Sequence, residues 1–300
     1  MITYWQLSVP SSPEISDGLT NFLWDHGALG VVEEEAPGRP ATLRAFFPET
    51  APSAALRQAV ITYRDSLGSL GFSVSPAEPE IGPLLDGDWA HAWQQSFPPL
   101  EIGTRLLVVP PWEARPPGTA GGRAQLIIEP GRAFGTGHHG STAGCLELIE
   151  HSLLSSPERP PSVLDIGTGT GILAIAALAL GARSALAIDV DPDAIAAARL
   201  NAEGNGVADR LELALASPTT LPERAPFPLV MANLLAHTHL GLVEPYGRLV
   251  APEGLLVLGG ILADEHEVVS GALRAGGFDL VRVLLVEGWA SLLMRRLPET

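Results

Sequence analysis

Three hundred residues, 46% of them of apolar type, suffice for one large domain or two moderate ones, and 34 acidic against 18 basic side chains leave a net charge of −16. Such a chain repels phosphate backbones, which argues against direct nucleic-acid binding. Every basic residue is an arginine, which removes P-loop kinases and Schiff-base enzymes, and the single cysteine, Cys145, excludes an internal disulfide and a cysteine-rich zinc site.

The longest apolar run, Ile172 to Leu180, is too short to cross a bilayer, and no basic stretch followed by an apolar core opens the chain, so a cytoplasmic protein is expected. Thr3 to Val9 alternates like a half-buried strand. Ser11-Ser12-Pro13-Glu14 then reads as a capping box ahead of a helix carrying Ile15, Leu19, Phe22 and Leu23 and stopping at Gly27. Val31-Val32 and Leu43 to Phe47 are the next strands, Ala54 to Leu70 a helix, and Phe72-Ser73-Val74 the closing strand. The order β-α-β-β-α-β predicts a small ferredoxin-like N-terminal domain over residues 1–76. Residues 1 to 80 hold ten acidic side chains and four arginines, a net of −6, and no catalytic motif. An acidic module without chemistry reads either as a docking surface for a basic protein or as a solvated face.

Residues 77–100 read as a linker in which Pro, Gly and the aromatics of Asp88-Trp89-Ala90-His91-Ala92-Trp93 pin the bends, ahead of a domain spanning 101–300. Arg105 to Val109 and Ala124 to Ile128 look like strands. The run Glu129 to Thr142 then combines glycines, Phe134 and the pair His138-His139, and leads into a helix over Ala143 to Leu154. Such a loop can cover a ligand, with Ser141 or Thr142 capping the helix. The adjacent histidines diverge and no carboxylate or cysteine stands at ligand spacing, so no metal is expected. The stretch Val163-Leu164-Asp165-Ile166-Gly167-Thr168-Gly169-Thr170-Gly171 reads as a strand and glycine-rich turn opening a buried helix. Its D-x-G-x-G-x-G spacing departs from the dinucleotide fingerprint, since Ile172 holds the last glycine slot. Ala187-Ile188-Asp189-Val190-Asp191 reads as a second strand whose end carries the acidic Asp189. A helix to Glu203, strands at Leu211 to Ala216, Leu229 to Ala232 and Leu255 to Leu258, a helix over Asp264 to Ala275 and the pair Phe278 to Val286 and Trp289 to Arg296 complete an α/β alternation. Ligands of open α/β sheets bind beyond the strand carboxyl ends, so Asn233 is expected to face the same crevice as Gly167 and Asp189 and is the candidate catalytic residue.

The glycine turn followed by an acidic strand end resembles the S-adenosylmethionine pocket of the seven-stranded, Rossmann-like class I methyltransferases, with Gly167, Gly169 and Asp189 on the cofactor. Glu129-Pro130-Gly131-x-Ala133-Phe134-Gly135-Thr136-Gly137-His138-His139, the core motif and Ala232-Asn233-Leu234-Leu235-Ala236 together resemble the bacterial ribosomal protein L-eleven methyltransferase family. The linker and the closing Glu287-Gly288-Trp289 to Arg296 extend that similarity over nearly the whole chain. The resemblance implies methyl transfer from S-adenosylmethionine to the N-terminal amine and lysine amines of a large-subunit ribosomal protein, and a monomeric enzyme whose N-terminal domain recognises that substrate. It further implies cofactor positions at Thr142, Gly167, Asp189 and Asn233. Asn233-Leu234-Leu235-Ala236 stands where base methyltransferases carry N-P-P-[YF], and the missing ring and prolines predict a wider slot and trimethylated products. The competing readings are a nucleic-acid base methyltransferase of the same fold and a non-catalytic cofactor-binding assembly factor.

Overall fold

The computed structural model describes residues 4–12, 14–28, 30–34, 41–48, 50–84, 97–116, 121–130, 137, 139–154, 161–221 and 225–298. Two compact units divide between Phe97 and Pro98.

The N-terminal unit runs β1 (Tyr4–Pro10), α1 (Ser16–Asp25), β2 (Gly30–Glu34), β3 (Thr42–Pro48), α2 (Ser53–Ser69) and β4 (Glu80–Leu84). Its sheet has the order β2-β3-β1-β4 with every pair antiparallel, a split β-α-β arrangement. The period-two alternation puts Trp5, Leu7 and Val9 of β1 and Leu43, Ala45 and Phe47 of β3 in one core with Leu19, Leu23, Leu56 and Val60 of the helices. The fourth strand is not Phe72 to Val74. Both backbone groups of Ser73 are taken elsewhere: its carbonyl accepts from Ser12 Oγ at 2.8 Å and its N–H donates to Glu14 Oε2 at 3.1 Å. The same bonds use up the expected capping box, and α1 starts without a side-chain cap. The stretch Asp88 to Trp93 lies outside the described residues.

The C-terminal unit opens with a small sheet of β5 (Leu100–Ile102), β6 (Leu106–Val109) and β7 (Ala124–Ile127). There follow α3 (Gly140–Leu154), β8 (Ser162–Ile166), α4 (Ile172–Ala179), β9 (Ser184–Asp189), α5 (Pro192–Gly204), β10 (Leu211–Leu215) and β11 (Phe227–Asn233). The chain continues through α6 (Ala236–Gly241), α7 (Val243–Leu249), β12 (Val250–Leu262), α8 (His266–Ala275), β13 (Phe278–Val286) and β14 (Trp289–Arg296). Strands β8 to β14 form one sheet of order β10-β9-β8-β11-β12-β14-β13, parallel except that β14 is antiparallel to both neighbours. Both faces are covered, so alternate residues of each strand enter two different cores. Val163 and Met231 pack with α3 and α4, while Leu164, Ile166, Val230 and Ala232 pack with α6, α7 and α8.

A buried carboxylate fastens the small sheet to α3. Glu150 accepts from Thr104 N–H at 2.9 Å, Thr104 Oγ1 at 2.6 Å and Arg105 N–H at 3.0 Å. Burial alone would raise its pKa, but these bonds and the nearby Arg123 guanidinium hold it below the ordinary glutamate value.

Candidate active site

The order of the strands reverses between β8 and β11, and the crevice at their carboxyl ends is where an open α/β sheet binds a ligand. Three turns meet there. The first follows β8, where Gly167, Gly169 and Gly171 take φ of 68°, 54° and 84°, the left-handed region that side chains disfavour. Gly167 has a second reason to lack a side chain: a Cβ there would lie 2.5 Å from Leu234 Cδ2, so the turn after β11 packs directly onto the turn after β8.

Asp189, at the end of β9, supplies the second wall. Its Oδ2 accepts from Gly169 N–H at 3.0 Å and its Oδ1 from Asp191 N–H at 3.0 Å. The carboxylate therefore braces the glycine turn, and each oxygen keeps further acceptor capacity. Asn233 supplies the third wall, donating from Nδ2 to the buried Thr142 Oγ1 at 3.2 Å. Its Oδ1 is buried and has no partner among the described residues. The five residues singled out from the sequence thus form a continuous set: Thr142 on Asn233, Leu234 beside it on Gly167, and Gly169 on Asp189.

Behind the first turn, Asp165 is fully buried. Burial raises its pKa to about 7 against the pull of hydrogen bonds from Thr168 Oγ1 at 2.7 Å and Ala174 N–H at 3.2 Å, with the Asp189 charge adding to the rise. Asn201 of α5 and its C-cap residue Asn205 hold β7 and the residues that follow it. Asn201 donates to Thr170 O at 2.8 Å and accepts from Glu129 N–H at 3.0 Å, while Asn205 bonds both backbone groups of Ile127. Gly137 lies against Val108 and Ile172. His139 pairs through Nδ1 with Ser141 Oγ at 2.8 Å, its ring 4.5 Å from that of Trp289. Residues 131–136 and His138 lie outside the described residues. Among the described residues no group of His, Cys, Asp and Glu converges on a metal site.

Gly259, Gly260 and His239 escaped the sequence reading. The two glycines form a bulge of β12 against β14, between the pairs Leu258 with Leu292 and Ile261 with Ala290. Gly260 has φ of 74°, and a Cβ on it would run into Leu234 O and come within 3.1 Å of Asn233 Oδ1. Glycine-rich bulges aim neighbouring groups at active sites, so a Gly-Gly pair ending a strand opposite Asn233 was the available signal.

A cavity of about 350 Å³ lies at the opposite, amino end of the strands, lined by Ser162, Ser184, Arg210, Leu211, Phe227 and neighbours. Among the described residues its lining has no glycine turn and no α-helix N-terminus, and it mixes Arg210 with Asp209 and Glu212. The crevice above is the candidate site.

This sheet order, with a glycine-rich turn after its central strand and an acidic end on the next, defines a class I methyltransferase domain. The family model described as ribosomal protein L11 methyltransferase (PrmA) matches residues 3–297. The chain belongs to that family. A protein of this description from Trichlorobacter lovleyi is 33% identical over 312 aligned positions, covering 99% of each chain. Another from Pseudomonas putida is 44% identical over 213 positions, 71% of this chain and 70% of its own. Among solved structures, a ribosomal protein L11 methylase from Lactobacillus delbrueckii subsp. bulgaricus is 30% identical with a TM-score of 0.59, covering 66% of this chain and 98% of its own.

Proposed function

We propose that this chain transfers methyl groups from S-adenosylmethionine to the N-terminal amine and lysine amines of ribosomal protein L11, carrying single amines to the trimethyl state. The observation that carries this reading is the wall after Asn233, where Leu234 seats on Gly167 and Leu235 is 57% exposed. Leu234-Leu235-Ala236 carries no aromatic ring and no proline to grip a flat base. A tetrahedral amine can turn about its own C–N bond against such a wall and present a new lone pair after each transfer. Added methyl groups meet leucine side chains that tolerate apolar surface.

The donor's requirements fit the crevice. Asp189 keeps acceptor sites for ribose hydroxyls, and the bare turn from Gly167 to Gly171 admits close approach to the start of α4. When bound, S-adenosylmethionine supplies an electrophilic methyl on a sulfonium. The chain's own task is to align the amine and exclude water. The amine must be neutral, and a lysine titrating near ~10.4 needs more help than a terminus near ~7.7–8.0. Leucine surface at the crevice supplies part of it by penalising the ammonium form. The buried His239 is no candidate base, since both its ring nitrogens are already bonded.

We further propose that the N-terminal unit docks the substrate and that the enzyme works as a cytoplasmic monomer without nucleic acid. The net −16 suits a cationic donor and a basic partner. Not all of the acidic run is free for docking: Glu33 accepts from Ser16 Oγ at 2.8 Å and Glu34 pairs with Arg44 at 2.7 Å. Intact mass spectrometry of L11 after exhaustive, nuclease-treated reaction should show methyl groups added in threes per amine. Accumulation of monomethyl product overturns the trimethyl reading, and dependence on nucleic acid overturns the protein substrate.

A further inference from the structure

Among the groups behind the crevice, His239 of α6 stands out because its ring is spent on backbone carbonyls, Gly259 O foremost, and one hydroxyl. It is fully buried, as is Tyr246 of α7. Nε2 lies 2.8 Å from Gly259 O and Nδ1 lies 2.8 Å from Tyr246 Oη. A carbonyl can only accept, so Nε2 carries the proton, Nδ1 presents its lone pair, and the tyrosine hydroxyl donates to it. The same carbonyl accepts from Leu234 N–H at 3.1 Å, the bond that ends the ladder between β11 and β12. Gly259 O is therefore gripped from two sides, and the longer bond comes from the residue that walls the crevice.

The carbonyl belongs to the bulge of β12, which lacks side chains to hold its shape. A Cβ on Gly259 would lie 2.9 Å from Asn233 Oδ1, and one on Gly260 would strike Leu234 O. The bulge backbone consequently forms the floor under both residues. A leucine at 239 would fill the volume and bury as much apolar surface, but it could not fix a carbonyl. Burying an imidazole costs free energy unless each nitrogen is bonded, and here both are.

We propose that His239 is a positioning residue for methyl transfer: by holding the Gly259 carbonyl it fixes the bulge of β12, and with it the seat of Leu234 on Gly167 and the direction of the Asn233 carboxamide. Tyr246 locks the imidazole in the tautomer that donates. The inference rests on the proposed transfer reaction, so its test carries one readout that needs no turnover.

Three variants of the full chain separate the possibilities. His239→Met removes the donor at similar volume, His239→Gln restores a donor, and Tyr246→Phe releases the tautomer lock. Steady-state kinetics with S-adenosylmethionine and ribosomal protein L11 should show kcat down by about 10- to 100-fold in His239→Met, the size of a sub-ångström to 1 Å misplacement, with both KM values within about threefold. His239→Gln should recover most of kcat, and Tyr246→Phe should fall between. Amide exchange at Leu234, measured on the protein alone, should be at least about tenfold faster in His239→Met than in wild type. Unchanged kcat and unchanged Leu234 exchange in folded His239→Met overturn the proposal, as does a loss that glutamine fails to rescue. If His239→Met does not fold, Tyr246→Phe decides by the same two readouts. Inactive wild type with accelerated Leu234 exchange in the variant would sink the transfer reading while leaving the clamp standing.

Discussion

Asp165 shows how much a single buried oxygen can decide. Its Oδ2 takes two hydrogen bonds while Oδ1 has none among the described residues, and burial pushes its pKa from the ordinary 3.8 to about 7. The folded protein thus keeps a proton that the unfolded chain releases from about pH 4 upward, so this residue's contribution to stability falls as pH rises through about 4 to 7 and is constant above. In Asp165→Asn that dependence disappears. Denaturant unfolding at about pH 5, 6, 7 and 8 should show wild type losing stability relative to the variant by several kcal/mol at most, the bound set by the shift. A wild-type-minus-variant difference that stays flat across that range would show that the carboxyl is ionised in the fold. Residues of this kind divide by whether a contiguous sequence pattern marks them. Gly167, Gly169 and Asp189 stand out as candidates because a glycine turn and an acidic strand end are contiguous patterns. Glu150, bonded to Thr104, and His239, bonded to Gly259, do not, because a single polar residue with a partner elsewhere in the chain leaves no such pattern.

At the scale of elements, the parallel core followed its sequence closely because each strand is an apolar run bounded by polar or glycine turns. The last antiparallel pair matches the reading of Phe278 to Val286 and Trp289 to Arg296 residue for residue. The misses have physical causes. β4 contains Gly82 and Pro83, which argue against a strand, yet as the edge of its sheet it tolerates a residue without an N–H. α6 and α7 are short and interrupted by Gly241, Pro245 and Gly247, the usual marks of loops, and form because Ala236, Tyr246 and Leu249 bury against the sheet. The tie between the small sheet and α3 is testable at this level. Glu150→Ala leaves the Thr104 and Arg105 donors without their acceptor and should cost roughly 2–3 kcal/mol in denaturant unfolding of the full chain. A loss under about 0.5 kcal/mol would mean that the turn finds other partners.

For the whole molecule, charge and architecture point the same way: an acidic chain and a bare glycine turn suit a cationic methyl donor. The crevice lies at the carboxyl ends of the strands and the cavity beside Arg210 at their amino ends. Which end holds the cofactor is therefore a question about opposite edges of one sheet. Hydrogen exchange with mass spectrometry, with and without S-adenosylmethionine, decides it. Slowed exchange is expected in the turn from Gly167 to Ile172, after Asp189 and at Leu234 to Leu235, with the strand starts at Ser162, Ser184 and Phe227 unchanged. Protection confined to those strand starts, with the glycine turn exchanging as before, would contradict the assignment of the site.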